Sequence, residues 1–381
     1  MERIYLDHAA TTPIHPQVIE KMTEVMQTQF GNPSSIHSFG RETRRILDET
    51  RQDLADSIGA VANNIILTSG GTESDNLAII GYAEKNKHKG KHIITTIIEH
   101  HAVLHSCQEL ERRGFEVTYL PVDETGNISI DELRRTLRDD TILVTIMYGN
   151  NEVGTLLPIA EIGHLLSEHD AAFHTDAVQA YGAVPLDVTK LKVDLLSVSA
   201  HKINGPKGIG FLYIRDGIQL LPITFGGEQE RKRRAGTENV PAIAGFHEAV
   251  KLAQRGMVEK RTLFTEFKTL FIDQLKQTEI SFMVNGSLEN SLPHVLNLSF
   301  PGTNVEAMLV NLDLAGIAAS SGSACTAGSI DPSHVLVAMF GKESERLTNS
   351  IRFSFGLNNT REQIEKAAIE TAKLVKRLRK D

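Results

Sequence analysis

Ile65-Ile66-Leu67-Thr68-Ser69-Gly70-Gly71-Thr72-Glu73-Ser74 passes from a short apolar run, through two glycines, into a polar segment that opens a helix. An apolar run of this length bounded by glycine predicts a buried strand, and the glycines let it turn sharply into a helix from Glu73 to Lys85. The unit recurs along the chain: Lys91 to Thr96 then Ala102 to Arg113, Val117 to Val122 then Ile130 to Leu137, Thr141 to Met147 then Ile159 to His169, and Ala171 to His174. Strands alternating with helices at this spacing predict an α/β fold with a mostly parallel central sheet flanked by helices on both faces. Ligands of such sheets lie outside the carboxyl ends of the strands. The polar clusters of this chain fall at those ends.

The first cluster, Ser69 to Ser74, offers glycine backbone and a helix start, the parts of a phosphate cradle, or of an ordinary turn capped by Thr72. It has neither the Walker lysine spacing nor a Gly-x-Gly-x-x-Gly fingerprint, so nucleotides are disfavoured. Glu99-His100-His101 places a histidine able to stack on a planar ring or move a proton. Tyr148-Gly149-Asn150-Asn151-Glu152-Val153-Gly154 supplies amides for a ring hydroxyl or a substrate, or makes a turn. In Thr175-Asp176-Ala177-Val178-Gln179 the aspartate suits a protonated pyridine nitrogen, or caps a helix. A strand from Val193 to Val198 leads into Ser199-Ala200-His201-Lys202 and the turn Asn204-Gly205-Pro206-Lys207-Gly208. A lysine at the mouth of a sheet can be desolvated and positioned for Schiff-base chemistry, which makes Lys202 a candidate anchor for pyridoxal phosphate.

The chain has 381 residues, 41% hydrophobic and 23% charged, which suits a globular protein of two domains. Its net charge of -8 disfavours direct binding to nucleic acid or an anionic membrane. The start lacks an apolar signal core and no run of eighteen apolar residues occurs, so a cytoplasmic protein without a membrane segment is expected. Two cysteines, with no Cys-x-x-Cys or His-Glu-x-x-His spacing, make neither a disulfide framework nor a zinc site. Cys107, beside Leu104 and Leu110 in a helix, is expected to be a packing residue. The basic run Arg231-Lys232-Arg233-Arg234 is expected in a subunit-interface or phosphate-facing loop.

Leu6-Asp7-His8-Ala9-Ala10-Thr11-Thr12, Gly31-Asn32-Pro33-Ser34-Ser35, Thr68 to Asn76, Glu99-His100, Asn150 to Gly154, His174 to Gln179, Ser199 to Lys202 and Ser321-Gly322-Ser323-Ala324-Cys325 together resemble the cysteine desulfurases of the NifS and IscS type. That family belongs to the class V aminotransferase branch of fold type I pyridoxal phosphate enzymes. The resemblance implies a homodimer that acts on L-cysteine with pyridoxal 5'-phosphate as cofactor. Lys202 would carry the cofactor, His100 stack on its ring and shuttle protons, Asp176 pair with the pyridine nitrogen and Gln179 with the ring hydroxyl. Gly71, Thr72, Ser199 and His201 would hold the phosphate, with Thr237 reaching in from the second subunit. Asn151 would lie near ring and substrate, and Arg352 would bind the substrate carboxylate. Gly71 stands where many relatives carry alanine, a difference expected to leave phosphate binding undisturbed.

Cys325 sits among small residues, Ser320 to Ser329, which predicts a mobile exposed loop. At about 3.3 Å per residue, a loop of roughly twelve residues can carry its tip on the order of 20 Å. The resemblance makes Cys325 the thiol that takes sulfur as a persulfide and passes it to an acceptor protein, an iron–sulfur scaffold or a tRNA-thiolating enzyme. No resident metal is expected; Cys325 is at most a transient iron–sulfur contact. The expected division is an N-terminal arm, 1–15, packing with the small domain; a large cofactor-binding domain, 16–257; and a smaller α+β C-terminal domain, 258–381. A selenocysteine lyase or aminotransferase of the same branch, and a non-catalytic sulfur-relay subunit, are the alternative readings.

Overall fold

The computed structural model describes residues 3–321 and 332–379. Twelve strands occur among them: β1 (Ile4–Tyr5), β2 (Ile65–Thr68), β3 (His92–Thr96), β4 (Glu116–Leu120), β5 (Thr141–Thr145), β6 (Ala172–Asp176), β7 (Leu195–Ser199), β8 (Gly210–Ile214), β9 (Met283–Asn285), β10 (Val295–Ser299), β11 (Ile317–Ala318) and β12 (Ser350–Ser354). Seven form the central sheet in the order β2-β8-β7-β6-β5-β3-β4. The pairs β3–β4, β3–β5, β5–β6 and β6–β7 are parallel, and β8 runs antiparallel to both β2 and β7. Every strand except β8 therefore points the same way, so the polar residues after β2, β3, β5, β6 and β7 emerge at one edge.

The interior strands are buried on both faces, as a parallel sheet between helical layers requires. Ile66, Ile93, Leu195 and Leu212 face one apolar cluster, while Leu67, Ile94, Leu196 and Phe211 face the other. Each such buried side chain contributes about 1.5–3 kcal/mol relative to exposure. Cys107 is buried within one of these clusters, as expected.

The predicted helix from Glu73 to Lys85 is three consecutive segments, Gly71–Asn76, a π-helical Leu77–Gly81 and Tyr82–Asn86. At the end of the wider segment the Leu221 N–H donates to the Gly81 carbonyl at 2.9 Å. Helices Pro16–Thr28 and Val240–Arg255, and strand β8, are present without having been expected.

A third apolar cluster joins Ile4 and Leu6 of the N-terminal segment to Phe271, Leu298, Phe353 and Ile364. β1 adds to β11 in a parallel two-stranded pair, and β12-β10-β9 form an antiparallel sheet against the helices Met257–Gln277 and Arg361–Leu378. Helix His334–Phe340 instead packs its Val335, Leu336 and Met339 against the central-sheet cluster. The N-terminal segment thus passes from the C-terminal cluster at Leu6 to the mouth of the central sheet at Ala9. No helix among the described residues is long and apolar enough to cross a membrane.

Candidate active site

At the carboxyl edge of the sheet lies a cavity of about 370 Å³. Ten of the twelve candidate residues line it: Gly71, Thr72, His100, Asn151, Asp176, Gln179, Ser199, His201, Lys202 and Arg352. Ala9 and Ala10 of the N-terminal segment, Asp75, Met147, Gly149, Val178 and Ser320 make the rest of the wall. Thr237 does not line this cavity; it is exposed on the loop after Arg234. Cys325 lies outside the described residues.

Lys202 ends a single 3-10 turn, Ala200–Lys202, directly after β7. The turn closes through Gly205, whose N–H bonds the Ala200 carbonyl at 3.0 Å and where a Cβ would meet that same oxygen at 2.8 Å. The lysine Nζ donates to the carbonyls of Ala9 at 2.5 Å and Ala10 at 2.8 Å. Thr12 pins these carbonyls in place, donating to the His201 carbonyl at 2.7 Å and accepting from Asn204 N–H at 2.9 Å. Burial, and then the Arg352 charge, lower the Lys202 pKa to about 8, against the opposing pull of Asp176 and Asp7. A lysine so placed is partly neutral near physiological pH and can act as a nucleophile or base.

Asp176 ends β6 with its Oδ1 accepting from Val178 N–H at 2.9 Å. Burial raises it above the ordinary carboxylate range, and Asp75, fully buried behind it, is raised further by burial and by the Asp176 charge. Asp75 Oδ1 has no hydrogen-bond partner. It lies 3.6 Å from His174 Nε2, but burial drives the His174 pKa down to about 3, so this contact is no ion pair. Two adjacent buried carboxyls, in no ion pair with a lysine or arginine among the described residues and with the Lys202 charge only partly offsetting their burial, suit a protonated ring nitrogen brought in by a ligand.

His100 is the N-cap of helix His101–Arg112, its Nδ1 accepting from Ala102 N–H at 3.1 Å. Burial first, and the Lys202 charge second, hold it neutral with a pKa of about 4. Because Nδ1 is an acceptor in this cap, the ring proton belongs on Nε2, assigned from the hydrogen bond. His100 is therefore arranged to donate from Nε2. Beneath it Glu99 takes Met147 N–H at 3.0 Å and the Thr96 hydroxyl at 2.8 Å, and burial lifts its pKa to about 8. That neutral-leaning carboxyl ties the end of β3 to the end of β5.

At the other end of the cavity Gly70 has φ 144° and Gly71 starts a helix, with Ser199 and His201 opposite. A Cβ on Gly71 would meet Val178 Cγ2 at 2.7 Å, so glycine is required by the branched side chain that faces it. Arg352, on β12, reaches in from the C-terminal sheet: Nη2 pairs with Asp7 Oδ1 at 2.8 Å, Nη1 donates to the Asn151 carbonyl at 2.9 Å, and Nε has no partner. Gln179 donates to the Ala9 carbonyl at 2.9 Å and its Oε1 meets His294 Nε2 at 3.3 Å, so in this form its amide braces the N-terminal segment. Sequence reasoning gave no role to Asp75, Asp7 or the carbonyls of Ala9 and Ala10. The small and polar run after β1 was the one available sign of the latter three.

The buried carboxylate pair, the partly neutral lysine and the glycine-lined helix start fit pyridoxal phosphate. The model of the family "Aminotransferase class-V" matches residues 4–367. The chain is 62% identical over 378 residues to the putative cysteine desulfurase IscS 1 of Bacillus subtilis (strain 168), covering 99% of this chain and 100% of the relative. It is 48% identical over 376 residues to the cysteine desulfurase IscS of Dictyoglomus turgidum, covering 99% and 95%. A solved NifS-like protein superposes with a TM-score of 0.92 at 34% identity, covering 99% of this chain and 100% of that one. The chain belongs to the class V aminotransferase family and, within it, to the pyridoxal phosphate-dependent cysteine desulfurases.

Proposed function

We propose that this protein takes the sulfur of L-cysteine, releases L-alanine and leaves a persulfide on Cys325 for delivery to an acceptor protein. The observation that carries the reading is the convergence of Lys202, Asp176, His100 and Arg352 on one cavity at the edge of the sheet. Pyridoxal phosphate, when bound, holds the substrate amine and withdraws electrons from its α-carbon. Lys202 would carry it, Asp176 would face its ring nitrogen, Gln179 its hydroxyl, and Gly71, Thr72, Ser199 and His201 its phosphate.

Arg352 holds the substrate carboxylate, sharing its fork with Asp7, and Asn151 closes that side. Lys202, partly neutral at pH 7–8, removes the α-proton. His100, neutral at this pH, offers its Nε2–H as a hydrogen-bond donor to the reacting groups. The Cys325 thiolate attacks the substrate sulfur: an S–S bond forms and the substrate C–S bond breaks. The two thiols become a persulfide and a methyl group, so no external oxidant or reductant is needed.

Thr237 stands away from its own chain's cavity, on a loop fixed by Arg234 to Glu73 at 2.8 Å and by the buried pair Arg51–Glu230 at 2.7 Å. That placement supports its donation to the phosphate of a second copy. The exposed rings of Phe30, Phe39 and Phe225 and the side chain of Ile36 support a homodimer. The arm, large and small domains keep the boundaries 1–15, 16–257 and 258–381 in this reading. The protein works in the cytoplasm, and its acceptor is an iron–sulfur scaffold or a tRNA-thiolating enzyme. The test is to incubate it with pyridoxal phosphate and L-cysteine, then measure alanine and the mass of the Cys325 peptide, with Cys325→Ala in parallel. One added sulfur on that peptide, with alanine from the unmutated protein alone, is expected. Alanine from both proteins equally would move Cys325 out of the reaction and favour a lyase.

A further inference from the structure

Behind the active-site cavity lies a second one, of about 280 Å³, that shares with it only the walls made by Gln179 and Lys202. Its lining, among the described residues, contains Lys202, Lys260 and Arg261 but no aspartate or glutamate. Lys260 is half-buried, its pKa is lowered by burial with no carboxylate opposing the shift, and it has no ion pair among the described residues. On the opposite wall His294 is held neutral by burial, with Lys268, His8, Lys202 and Arg352 all pressing in the same direction.

His8 faces the same space. It is 3% exposed, and neither ring nitrogen has a hydrogen-bond partner. The nearby Tyr5 carbonyl and Asn359 amide bond each other at 3.1 Å and act on the ring only in part, so that burial still lowers the His8 pKa to about 4. The ring is seated against Gly356, where a Cβ would meet His8 Nδ1 at 2.2 Å. Buried polar atoms in native proteins are hydrogen-bonded, and an orphan imidazole beside an uncompensated ammonium asks for a ligand that accepts from both.

We propose that this second cavity binds a small oxyanion, a carboxylate or a phosphate, through Lys260, Arg261 and the ring of His8. Because Lys202 forms a shared wall, such an anion would stabilise the charged form of Lys202 and so restrain the base of the reaction from behind.

The experiment is isothermal titration calorimetry of inorganic phosphate, and separately of acetate, into the cofactor-loaded enzyme, whose own phosphate cradle is already filled. Lys260→Met, which keeps most of the aliphatic stem, and Lys260→Arg are titrated alongside, with their thermal unfolding recorded to show that both are folded. One saturable site per chain is expected in the unmutated protein, weakened at least about tenfold in Lys260→Met, as loss of one charge-assisted contact predicts, and regained in Lys260→Arg. Saturation by phosphate alone identifies the phosphate class, and by acetate alone the carboxylate class. No saturable binding of either, or an isotherm unchanged in Lys260→Met, overturns the proposal; the latter would assign the anion to Arg352. The readout is binding, so it is independent of whether the desulfurase reaction itself proceeds.

Discussion

Arg352 and Asp7 meet at 2.8 Å inside the active-site cavity, joining β12 to the segment after β1 across 345 residues of chain. The pair acts on Lys202 in opposite senses: Arg352 lowers its pKa and Asp7 raises it. Replacing Asp7 by Asn removes the raising influence, so the ascending limb of kcat/KM against pH should move to lower pH. Arg352→Gln removes a lowering influence and should move the same limb upward, while also raising KM for L-cysteine about tenfold or more through loss of a charge-assisted fork. Limbs that move together, or not at all, would separate this pair from the lysine.

The depressed pKa of Lys202 is also a statement about folding. Its folded value of about 8 lies below the ordinary lysine value, so the folded state binds the proton less well than the unfolded chain. Stability should therefore rise with pH from about 8 to about 10.5, and at pH 7 the buried charge costs on the order of 3 kcal/mol before solvent screening. Cofactor-free Lys202→Met should melt above the cofactor-free parent at pH 7, the gap closing as pH approaches 10.5. Melting curves across that range measure it; a gap that is constant with pH would assign the effect to packing alone.

Much of this site could be inferred from sequence because each candidate after β2, β3, β6 and β7 lies within a few residues of a strand end, where spacing is informative. The partners of those residues could not. Lys202 is held by carbonyls 193 and 192 residues away, and backbone carbonyls carry no residue-type signal. Asp75 gives no local hint that it is buried, since a carboxylate in the first turns of a helix is ordinarily solvated. Helix Pro16–Thr28 buries only Val18 and Val25, too sparse a stripe to mark a helical face. β8 is buried at every position, so it shows no alternation, and nothing in Gly210–Ile214 announces that it runs against its neighbours.

His100 does two separable things. Its Nδ1 caps a helix, and its ring lines the cavity with the proton left on Nε2. Asparagine caps a helix as well as most residues do, so His100→Asn should keep the melting temperature of the parent, whereas His100→Ala should lose about 0.5–2 kcal/mol. Both should lose turnover by about 10²–10³-fold, the usual weight of a positioned hydrogen-bond donor. With a pKa near 4 the imidazole does not titrate between pH 5 and 8, so the surviving activity should keep the parent's pH limbs. A limb that disappears with His100 would show it acting as a base instead.

Gly71 and Val178 make the last prediction, because the side chain that faces this glycine leaves no room for the alanine that many relatives carry there. A Cβ at 71 would stand 2.7 Å from Val178 Cγ2, closer than side-chain carbons approach, and valine has one χ angle and little freedom to yield. The helix start and Asp176 sit on either side of this contact, since Val178 N–H is the donor to Asp176 Oδ1. Gly71→Ala should therefore weaken cofactor retention by displacing both, by about fivefold if the overpacking costs the lower end of the usual 1–3 kcal/mol. Val178→Ala added to Gly71→Ala removes the clash and should restore retention, although neither residue bonds the other. Fluorescence titration of the apoproteins with pyridoxal phosphate gives the three affinities. Equal affinity in the parent and Gly71→Ala would mean that the strand end shifts freely, and the tight seating of Val178 against the cradle would then play no part in holding the cofactor.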